Sequence, residues 1–254
     1  MNFKSILFYT AGAVVLAFLV SLAISPVHKM REFQNWLDAN PGFTAGFDSL
    51  SNHPGMRELA KEKAYKQALL RLSESDSIQM VVNLTDSAVL LQLKGVTIHR
   101  TKIREYNTDK LLKKIPLIQE VQLFSEPLPV HWHRASIVKE PVVVRHAPRD
   151  TLEAALNAWR PDTLLQNPAF AAFRLEHGIQ LVFEQDKNES LRDNWKRFHF
   201  HYQIQVQNAL TAISNFISLK KQDYYPTVTI KIPVDDLRAI YRALPGKAFI
   251  VLKI

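Results

Sequence analysis

Hydrophobic positions change their spacing along this chain, and each change marks an element. From Ile6 to Ile24 (ILFYTAGAVVLAFLVSLAI) the run is apolar throughout, with no charged side chain between Lys4 and His28. At about 1.5 Å of rise per residue, some 19 to 23 uncharged residues come close to the roughly 30 Å of bilayer hydrocarbon, which predicts a membrane-spanning helix. The same stretch also fits a secretory signal: Lys4 precedes an apolar core from Ile6 to Val20, and Ser21-Leu22-Ala23 offers a small-x-small cleavage site. Residues 1–27 are expected to be a transmembrane anchor or a signal peptide, and either would carry the remaining chain across a membrane.

Beyond Pro26 the spacing becomes helical, with Met30, Phe33 and Trp36 on one side of a segment from His28 to Leu37. Asn40-Pro41-Gly42 breaks it. A second helix is predicted from Met56 to Leu72, rich in good helix formers and carrying Glu58/Lys61 and Glu62/Lys66 pairs. Residues 28–75 thus read as a helical stalk or spacer.

From Ile78 the period is two. Ile78, Met80, Val82 and Leu84 alternate, Thr85-Asp86-Ser87 turns the chain, and Val89, Leu91 and Leu93 alternate again before Lys94-Gly95 and Val96-Thr97-Ile98, a β-meander. A short helix from Thr108 to Lys114 is followed by expected strands at Glu120–Phe124, Val130–Ile137 and Pro141–Val144. Asp150-Thr151-Leu152-Glu153 is a capping box predicting a helix to Trp159. Strands are then expected at 178–183 and at Phe198–Val206 (FHFHYQIQV), where Phe198, Phe200, Tyr202, Ile204 and Val206 alternate with His199, His201, Gln203 and Gln205. A helix burying Leu210, Ile213, Phe216 and Ile217 comes next, then a strand (Val228–Ile232), a helix (Asp235–Leu244) and a last strand (Phe249–Ile254). The order predicts an α+β chain: an N-terminal transmembrane helix, a helical stalk, then one β-rich domain over 76–254 with a few packed helices.

Composition alters this picture in three places. Among 254 residues there is no cysteine, which excludes disulfides, thiolate metal sites and a thiol nucleophile. The net charge of +8 suits contact with phospholipid headgroups or acidic wall polymers, and equally serves solubility, since Lys and Arg are scattered with no run longer than a pair. No nucleic-acid role is expected, because basic residues are not clustered among aromatics. Only 7 glycines are spread along the chain, against a phosphate-cradling loop.

Two His-x-His pairs are the candidate chemistry. In a strand, residues i and i+2 share a face, so His131/His133 and His199/His201 could each offer two imidazoles to one divalent metal, and neighbouring strands would complete a four-histidine zinc site. The alternative is that all four lie on the solvent faces of their strands. No Gly-x-Ser-x-Gly elbow accompanies them. Asp235/Asp236 read as helix-start residues favoured by the helix dipole.

Two stretches, IQMVVNLTDSAVLLQLKGVTIHRTKI (78–103) and TIKIPVDDLRAIYRALPGKAFIVLKI (229–254), resemble the opening hairpin and the ending of the L,D-transpeptidase catalytic domain of the YkuD type. That resemblance puts Thr229 where the family has its catalytic Cys, Lys231 where it has an Arg, and Val228 in place of the preceding Gly. The family's upstream His and its Ser-x-Gly lead into the Cys have no counterpart. A threonine hydroxyl with no adjacent base is a poor nucleophile. The resemblance therefore implies a relative that has lost its chemistry and points to cell-wall glycan or peptide as ligand.

The leading expectation is a single-pass inner-membrane protein whose C-terminal domain lies in the periplasm or another extracytoplasmic space. There it would bind, without catalysis and with no cofactor, a cell-wall polymer or a partner envelope protein. A metal-dependent hydrolase built on the paired histidines, with zinc, and a subunit of a larger membrane complex are the alternatives.

Overall fold

The first helix should have ended at its proline. Pro26 has no N–H to give the carbonyl of Leu22, and that loss usually kinks or breaks a helix. In the computed structural model, which describes residues 3–39, 54–139, 168–187 and 190–254, helix α1 nonetheless runs unbroken through Phe3–Ala39 with Pro26 inside it. Ser25 Oγ donates to the orphaned Leu22 carbonyl at 2.7 Å, replacing the missing partner. The predicted anchor and the first part of the predicted stalk are thus one helix. The strand expected at Pro141–Val144 and the capping-box helix from Asp150 lie outside the described residues.

Helix α2 (Pro54–Ser73) leads into the meander β1 (Gln79–Asn83), β2 (Ala88–Leu93) and β3 (Val96–Lys102), followed by β4 (Glu105–Thr108). Helices α3 (Lys110–Lys113) and α4 (Leu117–Leu123) come next, then strands β5 (Leu128–Ala135), β6 (Phe170–Leu175) and β7 (Gln180–Gln185). Helix α5 (Leu191–Ile217), strand β8 (Thr227–Ile232), helix α6 (Val234–Ala243) and strand β9 (Phe249–Lys253) complete the order. Nine strands form one mixed sheet in the order β3-β2-β1-β9-β5-β6-β7-β8-β4. Strand β5 joins its two halves: Leu128 and Pro129 pair with β9, and Val130 to Ala135 pair with β6 across a bulge between Val130 and Trp132.

Inner faces of both halves meet in one core. Met80, Val82, Ile250 and Leu252 from one half pack into the same cluster as Phe173, Phe183, Val228 and Ile230 from the other, with Leu237, Ile240 and Tyr241 of α6. Each half also has an outer face under a helix. Tyr65, Ala68 and Leu72 of α2 cover Val81 and Val251, while Phe200 and Ile204 of α5 cover Phe170, Ala172 and Val182. The segment expected as a spacer is therefore a wall of the domain: Ala68 is fully buried, and Lys253 Nζ reaches Glu62 at 2.6 Å.

Two expected strands are helices. Glu120–Phe124 belongs to α4, whose Leu117 and Val121 pack on Ala60 and Ala64 of α2. Phe198–Val206 lies within the 27-residue α5, started by Ser190, whose Oγ accepts from the Asp193 N–H at 3.2 Å. The helix expected to bury Leu210, Ile213 and Ile217 is the same α5, and it leaves all three exposed. Two strands went unanticipated: β6, buried on both faces, and β4, a short edge strand of mostly polar residues.

Candidate functional site

Helix α5 and the sheet face beneath it gather most of the residues singled out in the sequence. At about 100° per residue, His199 and His201 are some 200° apart on a helix and cannot serve one metal as neighbours on a strand would. Their environments differ accordingly. His201 turns to the sheet and meets Glu184 of β7 at 2.7 Å, Nε2 to Oε1. His199 stays on the exposed side, stacked on Trp195 with ring centroids 5.6 Å apart and bonded to Gln203 at 2.7 Å.

The first pair also divides. His131 stands at the bulge of β5 and is exposed. His133 is exposed too but leans toward the inner face, where its Nδ1 is 3.2 Å from the Tyr241 hydroxyl and its ring 6.5 Å from that of Phe173. Burial and then the charge of Lys139 hold the His133 imidazole below its ordinary pKa. His133 and His201 thus lie on opposite sides of the sheet, so the structure does not bring the four histidines together. Among the described residues, no three His, Asp or Glu side chains gather as a metal site would need.

Thr229 and Lys231 project from β8 on the α5 side, since Val228, Ile230 and Ile232 fill the inner core. Their partners in the parallel ladder are Val182 and Glu184. Lys231 therefore stands beside Glu184, and it pairs with Glu105 at 2.7 Å. Glu184 is the charged centre under the helix: its side chain is 3% exposed, and Arg197 Nε approaches the second carboxylate oxygen at 3.0 Å. Burial pushes the Glu184 carboxyl up, but the His201 hydrogen bond and the charges of Arg197, His201 and Lys231 outweigh it, so the net shift is downward.

A second pin lies farther along α5. The Arg174 guanidinium of β6 is sandwiched between Tyr225, 3.6 Å from the ring centroid, and Trp132, at 5.0 Å, and donates to Asn208 of α5 at 2.9 Å. Between β5 and the flank of α5 runs an open groove of about 330 Å³ lined by Arg134, Ser136, Phe170, Lys196, His199 and Gln203. Arg134 and Lys196 make its lining positive, while the Ser136 hydroxyl is taken up by the Pro168 carbonyl and the Phe170 N–H, and the His199 ring by Gln203. Sequence reasoning picked out His199 but missed Glu184 and Arg174, single charges in otherwise apolar strands, and Arg134, which directly follows the His131/His133 pair.

The opposite side of α5 is apolar and open. Trp195, Phe198, Tyr202, Leu210, Ile213 and Ile217 are each between 46% and 76% exposed. At its C-terminal end Phe216 meets Phe18 of α1 edge to face, with centroids 5.3 Å apart. Helix α1 is itself held by the β6–β7 turn. Lys29 passes so close to Gly178, at φ +73°, that a Cβ there would lie 3.2 Å from its Nζ, and Trp36 packs on His177 at 4.7 Å. The helix is long and apolar enough to cross a membrane, and Val14, Leu16, Leu19 and Val20 are exposed. No family model, curated protein or solved structure matches the chain.

Proposed function

We propose that this protein is a membrane-anchored extracytoplasmic binding module of the cell envelope that takes an anionic ligand, acidic wall polymer or carboxylate-bearing wall peptide, in the groove beside α5 without catalysing its conversion. The observation that carries this reading is helix α1. One helix begins with an exposed apolar run and ends with Ser25, Lys29 and Phe33 buried in the domain. Such a helix would hold the domain at a set distance from the bilayer rather than on a loose leash. The transpeptidase-like stretches support a wall ligand, and a β8 carrying Thr229 and Lys231 against a buried, ion-paired carboxylate supports a binding rather than a nucleophilic role. The test is co-sedimentation of the full chain, in detergent, with purified peptidoglycan. Retention that exceeds a basic control protein and falls with Arg134→Glu is expected. Retention no better than the control overturns the wall-binding reading.

A further inference from the structure

We infer that α5 is a second membrane contact: its outer face lies in the interfacial layer of the same bilayer that α1 crosses, making the domain monotopic as well as anchored. This rests on the anchor reading above.

The inference starts from an inverted helix. A helix on the surface of a water-soluble domain turns polar residues outward, yet α5 turns out Phe198, Tyr202, Val206, Leu210, Ile213 and Ile217, at steps of three and four residues over most of its length. At about 1.5 Å per residue, the stretch from Phe198 to Ile217 makes a strip of about 30 Å. Contiguous apolar surface of that extent marks contact with something other than water.

Three observations select lipid as the occupant. The first is continuity with α1. Phe18 lies seven positions before Ser25, where α1 becomes buried in the domain, so its ring stands about 10 Å out from that junction. Phe216 touches that ring. Whatever apolar medium surrounds α1 at Phe18 therefore reaches the C-terminal end of α5, and a depth of about 5 to 10 Å is where interfacial helices bury their apolar face.

The second is the distribution of charge. No Asp, Glu, Lys or Arg occurs from Phe198 to Leu219, while Arg192 and Lys196 precede that stretch, with Asp193 between them and Arg197 turned in to Glu184, and Lys220 and Lys221 follow it. An in-plane helix needs that order: an uncharged middle facing acyl chains, and cations at both ends reaching phosphates. The third is the aromatic pairing. Trp195 stacks with His199, and Phe198 with Tyr202 at 6.2 Å, at the basic end of the helix. Amphipathic rings beside cations match the headgroup level.

The test uses the full chain in phosphatidylcholine and phosphatidylglycerol vesicles. Because the sequence has no cysteine, single nitroxide labels can be placed by V206C, L210C and I213C on α5, with L16C on α1 and L70C on α2 as references. Collision with dissolved oxygen is compared with collision with a water-soluble nickel chelate, and thermal unfolding checks that each labelled protein is folded. The expected result is oxygen-rich, nickel-poor labels at 206, 210 and 213, as at 16, with the reverse at 70. Nickel access at α5 equal to that at 70, while 16 stays in lipid, overturns the inference and leaves the anchor standing. Labels on α5 shielded from both reagents show a protein partner there and overturn it too. Nickel access at 16 removes the anchor and the inference with it.

Discussion

Helices α2 and α5 do the same job on the two halves of the sheet and do it in opposite ways. Helix α2 buries Ala60, Ala64, Tyr65, Ala68 and Leu72, and turns outward a surface that includes Arg57, Glu58, Glu62 and Lys66. Its small residues let the backbone approach the strands closely. Helix α5 buries only Phe200 and Ile204, and adds charged pins through Glu184 and Arg174. Its outer face is the apolar one. A helix fixed by packing can spend its other side on solubility, whereas α5 divides its apolar residues between two surfaces.

The largest expected effect separates the two faces of α5. Phe200→Ala removes a buried ring stacked on Phe170 at 5.6 Å and should cost about 3 to 5 kcal/mol. Phe198→Ala, two residues away and 67% exposed, should change stability by less than about 0.5 kcal/mol. Urea midpoints of the two variants measure the contrast, and equal losses would mean the outer face is also packed. Overpacking extends the comparison to α2: Ala68→Leu should cost about 1 to 3 kcal/mol, and Ala209→Leu on the exposed side of α5 close to nothing.

Glu184→Gln removes the carboxylate that joins α5 to β7 and leaves Arg197 and His201 without it. Both partners are a third or more exposed, so water softens the loss to about 1 to 3 kcal/mol. The same carboxyl sets an acid limit. Its folded pKa is lowered, so its contribution is complete above the unfolded carboxylate range, at about pH 4.3, and drains as pH falls through the folded value. Thermal midpoints measured from pH 6 down to pH 3 should fall less steeply in Glu184→Gln than in the parent chain. A modest effect belongs to the cap: Ser190→Ala should cost about 1 kcal/mol.

The double-sided character of α5 also explains why the sequence misled. Phe198 and Phe200 lie on nearly opposite sides of a helix, one serving the outside and one the sheet, and so do Tyr202 and Ile204. Two apolar stripes superimposed in sequence leave an apolar residue at every second position, which is the signature of a strand. Strand β6 failed for the converse reason: AFAAFRL is buried on both faces and so lacks alternation. The meander was legible because Met80, Val82, Val89 and Leu91 recur at every second position, although α2 also covers Val81 and Val251 on the other face, and α6 was legible because it has one wet face and one dry face. The site was legible only at its histidines, since the partner that matters, Glu184, is a single acid inside QLVFEQ with no neighbouring motif.

The place of β9 in the sheet has a consequence for how the protein is made. Phe249–Lys253 lies between β1, which it meets in parallel, and β5, which it meets antiparallel, so the half containing β1 reaches the joining strand β5 only through it. Until those residues have been synthesised, neither half has its neighbour and the shared core stays open. Closure then links segments about 170 positions apart, as with the Phe249 N–H donating to Gln79 Oε1, and such non-local closure is slow. A nascent chain of this design keeps its shared core open until its last strand is made, so its inner apolar faces stay uncovered for the whole of elongation.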